Sequence, residues 1–596
     1  MVFPKLQAKG GGIEHVAKDI DPDRLFFHGV PSFDPEPFLD YNNRMTYRRP
    51  LDFAEAIDID DPKLPKVKLR CPASRRIRVL EKLDSVQRLA LLDAARCRRG
   101  LENGLFSIPK DQVRDRMVLD ARRANAAEQS EKRWIYSLGS LQQFLHVFLA
   151  PHEHLEINAE DLREFYHAFV VGAQRQERNI LQGVYKPDQI RHLKSFRPEL
   201  EAAKEIVAAL DTLAMGDTNA VAYGQVAHLA LLLRTGHFGL EDFITLKNRP
   251  SRKKWHVGLM IDDFILVEIC EQGKRSEEVR RMVEDVRAAY VQYGLPRHEG
   301  KAVEHSTEGE FWGAQLDGVQ GILRPSLKRL IPLANITIKI VQLGYCTVGL
   351  LEVLSGCYVA AFQLRRRLMS ALEHIYSAQR SRSRSTIVRL SFSLKNELLE
   401  VVGLLPLAVI DMRIKPSSTL VASDASTQAE AAVALEIGEK RTAEFQKHGI
   451  QKGLWNRLLS PSATYLRSQG LLGVEEELPC TDEYRMHPIW EEVVSCGQFR
   501  PFGKTKKVRC KKHINLGELD AALRAEEKLF NEQPGSFYIH LVDSQVVAAC
   551  LVKGRSSSSS VNKRLRSSIA SHVGQGGRSF IGYVRSKLNP ADDPTI

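Results

Sequence analysis

The chain has 596 residues with a net charge of +12, and 43% of its residues are hydrophobic and 27% charged. That length exceeds what one hydrophobic core organises and predicts two to four domains of ordinary globular composition, which excludes a disordered or fibrous chain. The positive balance favours a polyanionic partner. Nine scattered cysteines without framework spacing favour a reduced, intracellular protein, cytoplasmic or nuclear, and the first residues lack the apolar core of a signal peptide.

Residues 1–75, rich in Pro, Asp and Arg with little periodicity, predict a loosely ordered extension. Helical patterning begins at Arg76, and the basic stretch Arg75–Leu83 is either a solvated face or a template contact. Phe106–Asn125 holds a strand around Val118 and Leu119, with Lys110, Arg114 and Arg116 just before it. Helical segments follow, then Leu155–Val171, where Asp161 precedes the aromatic pair Phe165 and Tyr166. From Leu213 a Gly-Asp turn precedes a long amphipathic helix, in which His228 is read as a satisfied helix histidine.

Leu259–Glu268 sets Asp262 and Asp263 between the apolar runs 257–261 and 264–267. Runs of that length, rich in Ile, Leu and Val, predict a hairpin with both strands buried. The acidic pair then sits at the turn, because two uncompensated carboxylates are too costly to bury. Alone, such a pair reads as a polar turn; a metal site requires a third carboxylate and substrate-binding elements around it. A helix over 277–295 follows, then Lys301 and the short segment Phe311–Gly318.

From about 325 to 410 the pattern is helical. The most apolar stretch, Ile340–Leu351, is too short to span a bilayer and predicts one buried helix, so no membrane partner is expected. Gln379–Ser385 is a solvated basic loop or a phosphate-backbone contact. Alternating strands begin near Pro416, and 440–510 has no clear period and predicts an insertion. A helix after His513, a strand ending at Val542, a helix, a strand ending at Val584 and the segment from Leu588 follow. The serine run 556–560 predicts a helix-start loop. Cys480, Cys496, Cys510 and His513 lack the compact CxxC pair of a structural zinc site.

Over roughly 105–320 the order of these elements resembles a reverse transcriptase. Ser107–Asn125 looks like the family's fingers strand, which implies that Lys110 and Arg116 grip the triphosphate of an incoming nucleotide. Asp161 matches the first catalytic motif. Tyr166 falls where the family places an aromatic ring that clashes with a 2′-hydroxyl. Leu213–Gln225 is similar to the Leu-Pro-x-Gly segment, which implies substrate-binding roles for Met215, Gly216 and Gln225, with Asn219 also matched. Lys301 matches the lysine that follows, and Trp312 and Gly313 the primer-gripping turn. By this resemblance Asp161, Asp262 and Asp263 hold two Mg²⁺ (or Mn²⁺) ions, one activating the primer 3′-hydroxyl and one neutralising the leaving pyrophosphate. The sequence departs from the family at Glu160, Glu164, Ala214 and Met260.

Asp424, Glu518, Asp543 and Asp592 lie in four separate elements, and that order of acids resembles ribonuclease H. The surrounding residues are similar to the version carried by tyrosine-recombinase (DIRS-type) retrotransposons. The resemblance implies that these four acids bind two Mg²⁺ ions directing water at an RNA phosphodiester. The alternative is four surface acids on an α/β domain. The family's Gly-rich hairpin is here Gln428–Ala432, and the stretch between Asp424 and Glu518 is long.

Together the resemblances imply a multidomain α/β chain. It would comprise the extension to 75, fingers and a split βαβ palm over 76–320, a helical thumb or connection over 321–412, and a ribonuclease H-like domain over 413–596. The implied activity is RNA-directed DNA polymerisation on an RNA template with a DNA primer and deoxynucleoside triphosphates, plus cleavage of RNA–DNA hybrid. The alternatives are a catalytically silent nucleic-acid-binding scaffold and a polymerase of ribonucleotides, which Tyr166 disfavours.

Overall fold

The computed structural model describes residues 16–595 except 247, 272, 273, 275, 452–483 and 509–512, so Cys480 and Cys510 lie outside the described residues. The chain is mixed α/β and divides into two compact units. One holds the described residues of Met1–Gly139, Ile157–Glu268 and Arg275–Ser306; the other holds those of Ser140–Glu156, Ile269–Lys274 and Thr307–Ile596.

The first unit is organised on a four-stranded sheet in the order Trp255–Met260, Asp263–Glu271, Glu153–Asp161, Val303–Ser306. The first two strands form an antiparallel hairpin in which Met260 faces Asp263, leaving a two-residue turn of Ile261 and Asp262. Both strands are buried almost throughout, which is why their sequence runs apolar instead of alternating. The helices Ala220–Arg234 and Glu277–Tyr293 share their core: Tyr223, Leu231, Val283 and Tyr290 pack with Val257, Leu259, Phe264 and Leu266. The second helix starts with Ser276 accepting from the Val279 N–H and two glutamates in its first turn, and stops at Gly294 with φ 77°, as capping chemistry requires.

A hairpin of Gly104–Pro109 and Asp115–Asp120 carries the predicted Val118–Leu119 strand, and Leu89–Asp93 pairs with Ile206–Leu210. Composition predicts a loose extension up to residue 75, but the described residues 16–75 are packed. Regular structure there is sparse beyond the helix Tyr41–Arg48, yet Phe33, Phe38, Leu39 and Tyr47 are buried in the same cluster as Val257, Leu259, Phe264 and Leu266 of the acidic hairpin. Irregular backbone hides this from periodicity, while the burial of four large side chains provides ample hydrophobic stabilisation to hold it.

In the second unit Glu308–Phe311, Ala314–Asp317, Ile322–Pro325 and Ile410–Asp411 form an antiparallel sheet. The helices Leu327–Leu343, Val348–Phe362 and Phe392–Leu404 follow the second of those hairpins. The single helix expected over Ile340–Leu351 is broken. Gly344 (φ 79°) ends one helix, Tyr345–Thr347 is a short strand, and Thr347 caps the next helix by accepting from the Leu350 N–H. A glycine in the left-handed region and a threonine N-cap are stronger local signals than continuous hydrophobicity.

The remainder is a six-stranded sheet. Lys415–Ala425 pairs antiparallel with Ala429–Glu436 and parallel with Ser536–Val542, which pairs parallel with Arg578–Tyr583. The edge pieces Arg500–Pro501 and Lys506–Lys507 pair with Ala429–Glu436. The helix Ile514–Glu532 begins at His513, and the serine run leads into the helix Ser559–Ser567. No helix among the described residues is long and apolar enough to cross a membrane.

Candidate active sites

In the first unit, a cavity of about 540 Å³ is lined by Asp161 and Asp262 together with Lys110, Arg116, Tyr166, Met215 and Lys301. The two acids come from adjacent strands, Asp161 ending one and Asp262 standing in the hairpin turn. Asp263 opens the next strand and feels both charges. Burial first, then Asp262 and Asp161, push its carboxyl up to about 7, against the opposing pull of Lys301. Asp262 is also raised, by burial and by Asp161. Lys301 Nζ donates to Asp161 Oδ2 at 2.9 Å. These three half-buried carboxylates offer only oxygen donors, the chemistry a hard divalent cation prefers, but their oxygens are not all gathered within 4.8 Å of one another.

The turn is held from behind. Ile261 has φ 61°, a conformation that strains a β-branched residue. Its N–H donates to Gln225 Oε1 at 2.7 Å, and its carbonyl accepts from His228 Nδ1 at 2.7 Å. Gln225 and His228, three residues apart, share one helix face. Gln225 is absent from the cavity lining: it is buried and also donates to the Ser137 carbonyl at 3.2 Å. With Nδ1 donating, His228 Nε2 accepts from the Tyr290 hydroxyl at 2.8 Å, so the ring is neutral.

Burial lowers the His228 pKa to about 4, partly offset by its bond to Ile261. The folded value lies below the unfolded one of about 6.5, so the unfolded chain binds the proton first. Stability is therefore lost as pH falls through 6.5 towards 4, by about 2 kcal/mol between pH 7 and 5 from this residue. His228→Gln, which can still donate to Ile261, is expected to shrink the acid-induced loss of unfolding free energy, read from denaturant titrations at pH 7 and 5, by that amount.

Other expected site residues sit elsewhere. Gly216 is absent from the cavity lining; it has φ 116°, and a Cβ there would meet the Leu119 carbonyl at 2.0 Å, so only glycine fits. The adjoining Asp217 is buried and pairs with Arg175 at 2.7 Å, anchoring the turn. Trp312 and Gly313, both with positive φ, form the turn between Glu308–Phe311 and Ala314–Asp317 in the second unit.

Sequence reasoning missed Phe26, Phe27, His28 and His298, which also line the cavity. They carry no motif and lie in or beside irregular segments. The family departures have local partners. Glu160 is buried between Arg287 (2.5 Å) and Arg297 (2.9 Å), on the face of its strand opposite Asp161. Glu164 accepts from Arg88 Nη2 at 2.7 Å and from the His28 N–H at 3.1 Å.

In the second unit Asp424, Glu518 and Asp543 bring carboxylate oxygens within 4.8 Å of one another. Asp424 lies near the end of Lys415–Ala425, Glu518 is in the first turns of Ile514–Glu532, and Asp543 follows the central strand Ser536–Val542. Burial and then Asp543 raise Asp424 to about 6. Burial chiefly raises Glu518 to about 7, with Asp543 and Asp424 adding to it. Asp543 is raised by burial and restrained by hydrogen bonds from Ser586 and Asn589. This oxygen-only cluster also fits divalent metal. Asp592 is exposed and outside the tight group, though its charge reaches Asp424 and Asp543. The hairpin residue Glu430 is taken up by Arg524 at 2.5 Å.

No protein-family model and no curated protein matches this sequence. Among solved structures the chain is similar to the foamy viral protease-reverse transcriptase dRH in complex with double-stranded DNA, with 12% identity over 90% of this chain and 74% of that one and a TM-score of 0.42. It is also similar to the foamy viral protease-reverse transcriptase with RNA/DNA hybrid, at 13% identity over 89% and 77% with a TM-score of 0.40. For the same protein with double-stranded DNA the values are 11%, 94%, 99% and 0.41.

Proposed function

We propose that the chain is an RNA-directed DNA polymerase of retroelement type whose second carboxylate cluster is a ribonuclease H site. One observation carries the polymerase half: Asp161 and Asp262 share a cavity with Lys110, Arg116 and Tyr166, which come from separate elements. Asp161, Asp262 and Asp263 would hold Mg²⁺ or Mn²⁺, which when bound supplies charge neutralisation at the attacking and leaving oxygens of phosphoryl transfer. Lys110 and Arg116 bind and orient the triphosphate. Burial, then the neighbouring Arg114, holds the Lys110 pKa below its usual value. Orientation of this kind lowers the barrier by replacing a bimolecular encounter with a fixed geometry.

Tyr166 is the specificity element. Burial, then Asp262, raises its pKa and keeps the phenol neutral, so the ring acts by shape. In the nuclease half, Asp424, Glu518, Asp543 and Asp592 would hold the ions, and Ser586 and Asn589 orient Asp543.

Primer extension with purified protein on an RNA template tests the reading. The expected result is Mg²⁺-dependent incorporation of deoxynucleotides. Tyr166→Ala is expected to lower discrimination against ribonucleotides by at least about tenfold, ~1.4 kcal/mol of differential transition-state binding. A protein that binds primer–template but never extends it is the silent scaffold instead.

A further inference from the structure

The second unit contains a separate cavity of about 110 Å³ lined by Arg365, Arg366, Arg367, Arg578 and His572. Arg365, Arg367 and Arg578 are 8%, 4% and 4% exposed, burial at which guanidinium groups are ordinarily paired. Only Arg367 has a direct carboxylate partner among the described residues, Glu526 at 3.1 Å. Arg365 donates to the Gly577 carbonyl at 2.9 Å; Arg578 donates to the carbonyls of Leu145 at 2.5 Å and Asp411 at 3.0 Å. The Asp411 carboxylate is felt by Arg365 and Arg578, but Asp411 is exposed and its Oδ1 accepts from the Arg413 N–H.

Four cations thus face one buried carboxylate. The Nε atoms of Arg366, Arg367 and Arg578 and Nδ1 of His572 are buried without a hydrogen-bond partner among the described residues. The field is accordingly positive. Burial, then Arg365, depresses Arg578 to about 9, and burial, then Arg367, depresses Arg365 to about 10. Burial together with Arg367, Arg365 and Arg578 holds His572 well below its usual value.

We propose that this cavity is a binding site for a small, multiply charged phosphate-class anion, inorganic phosphate or pyrophosphate. Guanidinium forks match tetrahedral oxyanions through paired N–H bonds, and a multivalent anion offsets more than one of the uncompensated charges. The volume accommodates several waters or one such anion. It does not accommodate a duplex, so a free anion is favoured over a phosphate of a nucleic-acid backbone. Arg366 is half-buried, which leaves one side of the cavity accessible.

The test is calorimetric titration of the full chain with sodium phosphate and with pyrophosphate, in EDTA so that neither carboxylate site carries metal, at ionic strength fixed with NaCl. One anion is expected to bind per chain and to raise the melting temperature by several degrees over matched NaCl. Arg366→Gln, whose side chain makes no hydrogen bond among the described residues, is expected to keep the melting temperature in NaCl and weaken binding at least tenfold. Lys110→Ala, in the other basic cavity, is expected to leave binding intact, and a single-stranded oligonucleotide is expected not to compete. The proposal is overturned by wild-type protein showing no binding beyond matched NaCl, or by Arg366→Gln binding as wild type. Loss of binding in Lys110→Ala overturns it by placing the anion in the polymerase cavity, and displacement by the oligonucleotide overturns it by identifying a backbone phosphate.

Discussion

Asp262→Asn is expected to reduce Mg²⁺-dependent primer extension by at least about 10³-fold, ~4 kcal/mol of transition-state stabilisation. The substitution keeps the side chain's size and changes its charge, so the effect isolates the carboxylate. Its backbone frame is independent of that charge: Gln225 and His228 hold Ile261 on the amino-terminal side of Asp262, and Asp263 enters a buried strand on the other. The mutant should therefore fold. Folding could even improve slightly, because burial and Asp161 both disfavour the ionised Asp262 side chain. Affinity for primer–template should change little, since phosphate contacts spread over a chain of net charge +12 carry most of it and would show as a steep salt dependence. Single-nucleotide incorporation and filter binding on the same preparation separate the two effects. Extension at wild-type rate in Asp262→Asn would assign the activity elsewhere.

The acidic hairpin was legible because run length, composition and the cost of burying carboxylates all point to the same turn. Asp161 was legible only through the order of matched segments: nothing in residues 155–171 says which neighbouring strand they join, and pairing is a long-range property. The same limit applies to Gln225, whose spacing from the Leu-x-x-Gly segment is local but whose buried contact with Ile261 depends on a helix and a hairpin meeting. Glu160 is a departure from the family pattern whose cause lies more than a hundred residues away, in Arg287 and Arg297. The break at Gly344 was readable, since Gly at a helix end followed by a Thr cap is a local signal, and hydrophobic continuity masked it. The packing of residues 16–75 was not readable: single aromatic anchors such as Phe33 and Tyr47 in irregular backbone leave no period. Neither was the arginine cavity, which needs Arg365–Arg367 and a strand two hundred residues later to come together.

Asp543→Asn is expected to abolish cleavage of the RNA strand of an RNA–DNA hybrid, again by about 10³-fold or more, while primer extension stays close to wild type. Asp543 is the most informative of the four acids. It follows Ser536–Val542, a strand buried along its whole length and paired on both sides, so packing fixes where it points. Its carboxylate lies within 4.8 Å of Asp424 and Glu518 oxygens, and removing its charge both weakens any shared cation and relaxes the repulsion that raises Asp424 and Glu518. Stability should therefore hold or rise, so that lost cleavage cannot be ascribed to unfolding. Asp592 makes the contrast: it is exposed and outside the tight group, so Asp592→Asn should be milder. Asp263→Asn should show the reverse pattern, with extension lost and hybrid cleavage retained, because Asp263 and Asp543 belong to separate clusters in separate compact units. Parallel assays of extension and hybrid cleavage on the three variants distinguish the outcomes. Hybrid cleavage that persists in Asp543→Asn, or a wild-type chain that extends primers and never cuts hybrid, would remove the nuclease assignment and leave the polymerase one intact.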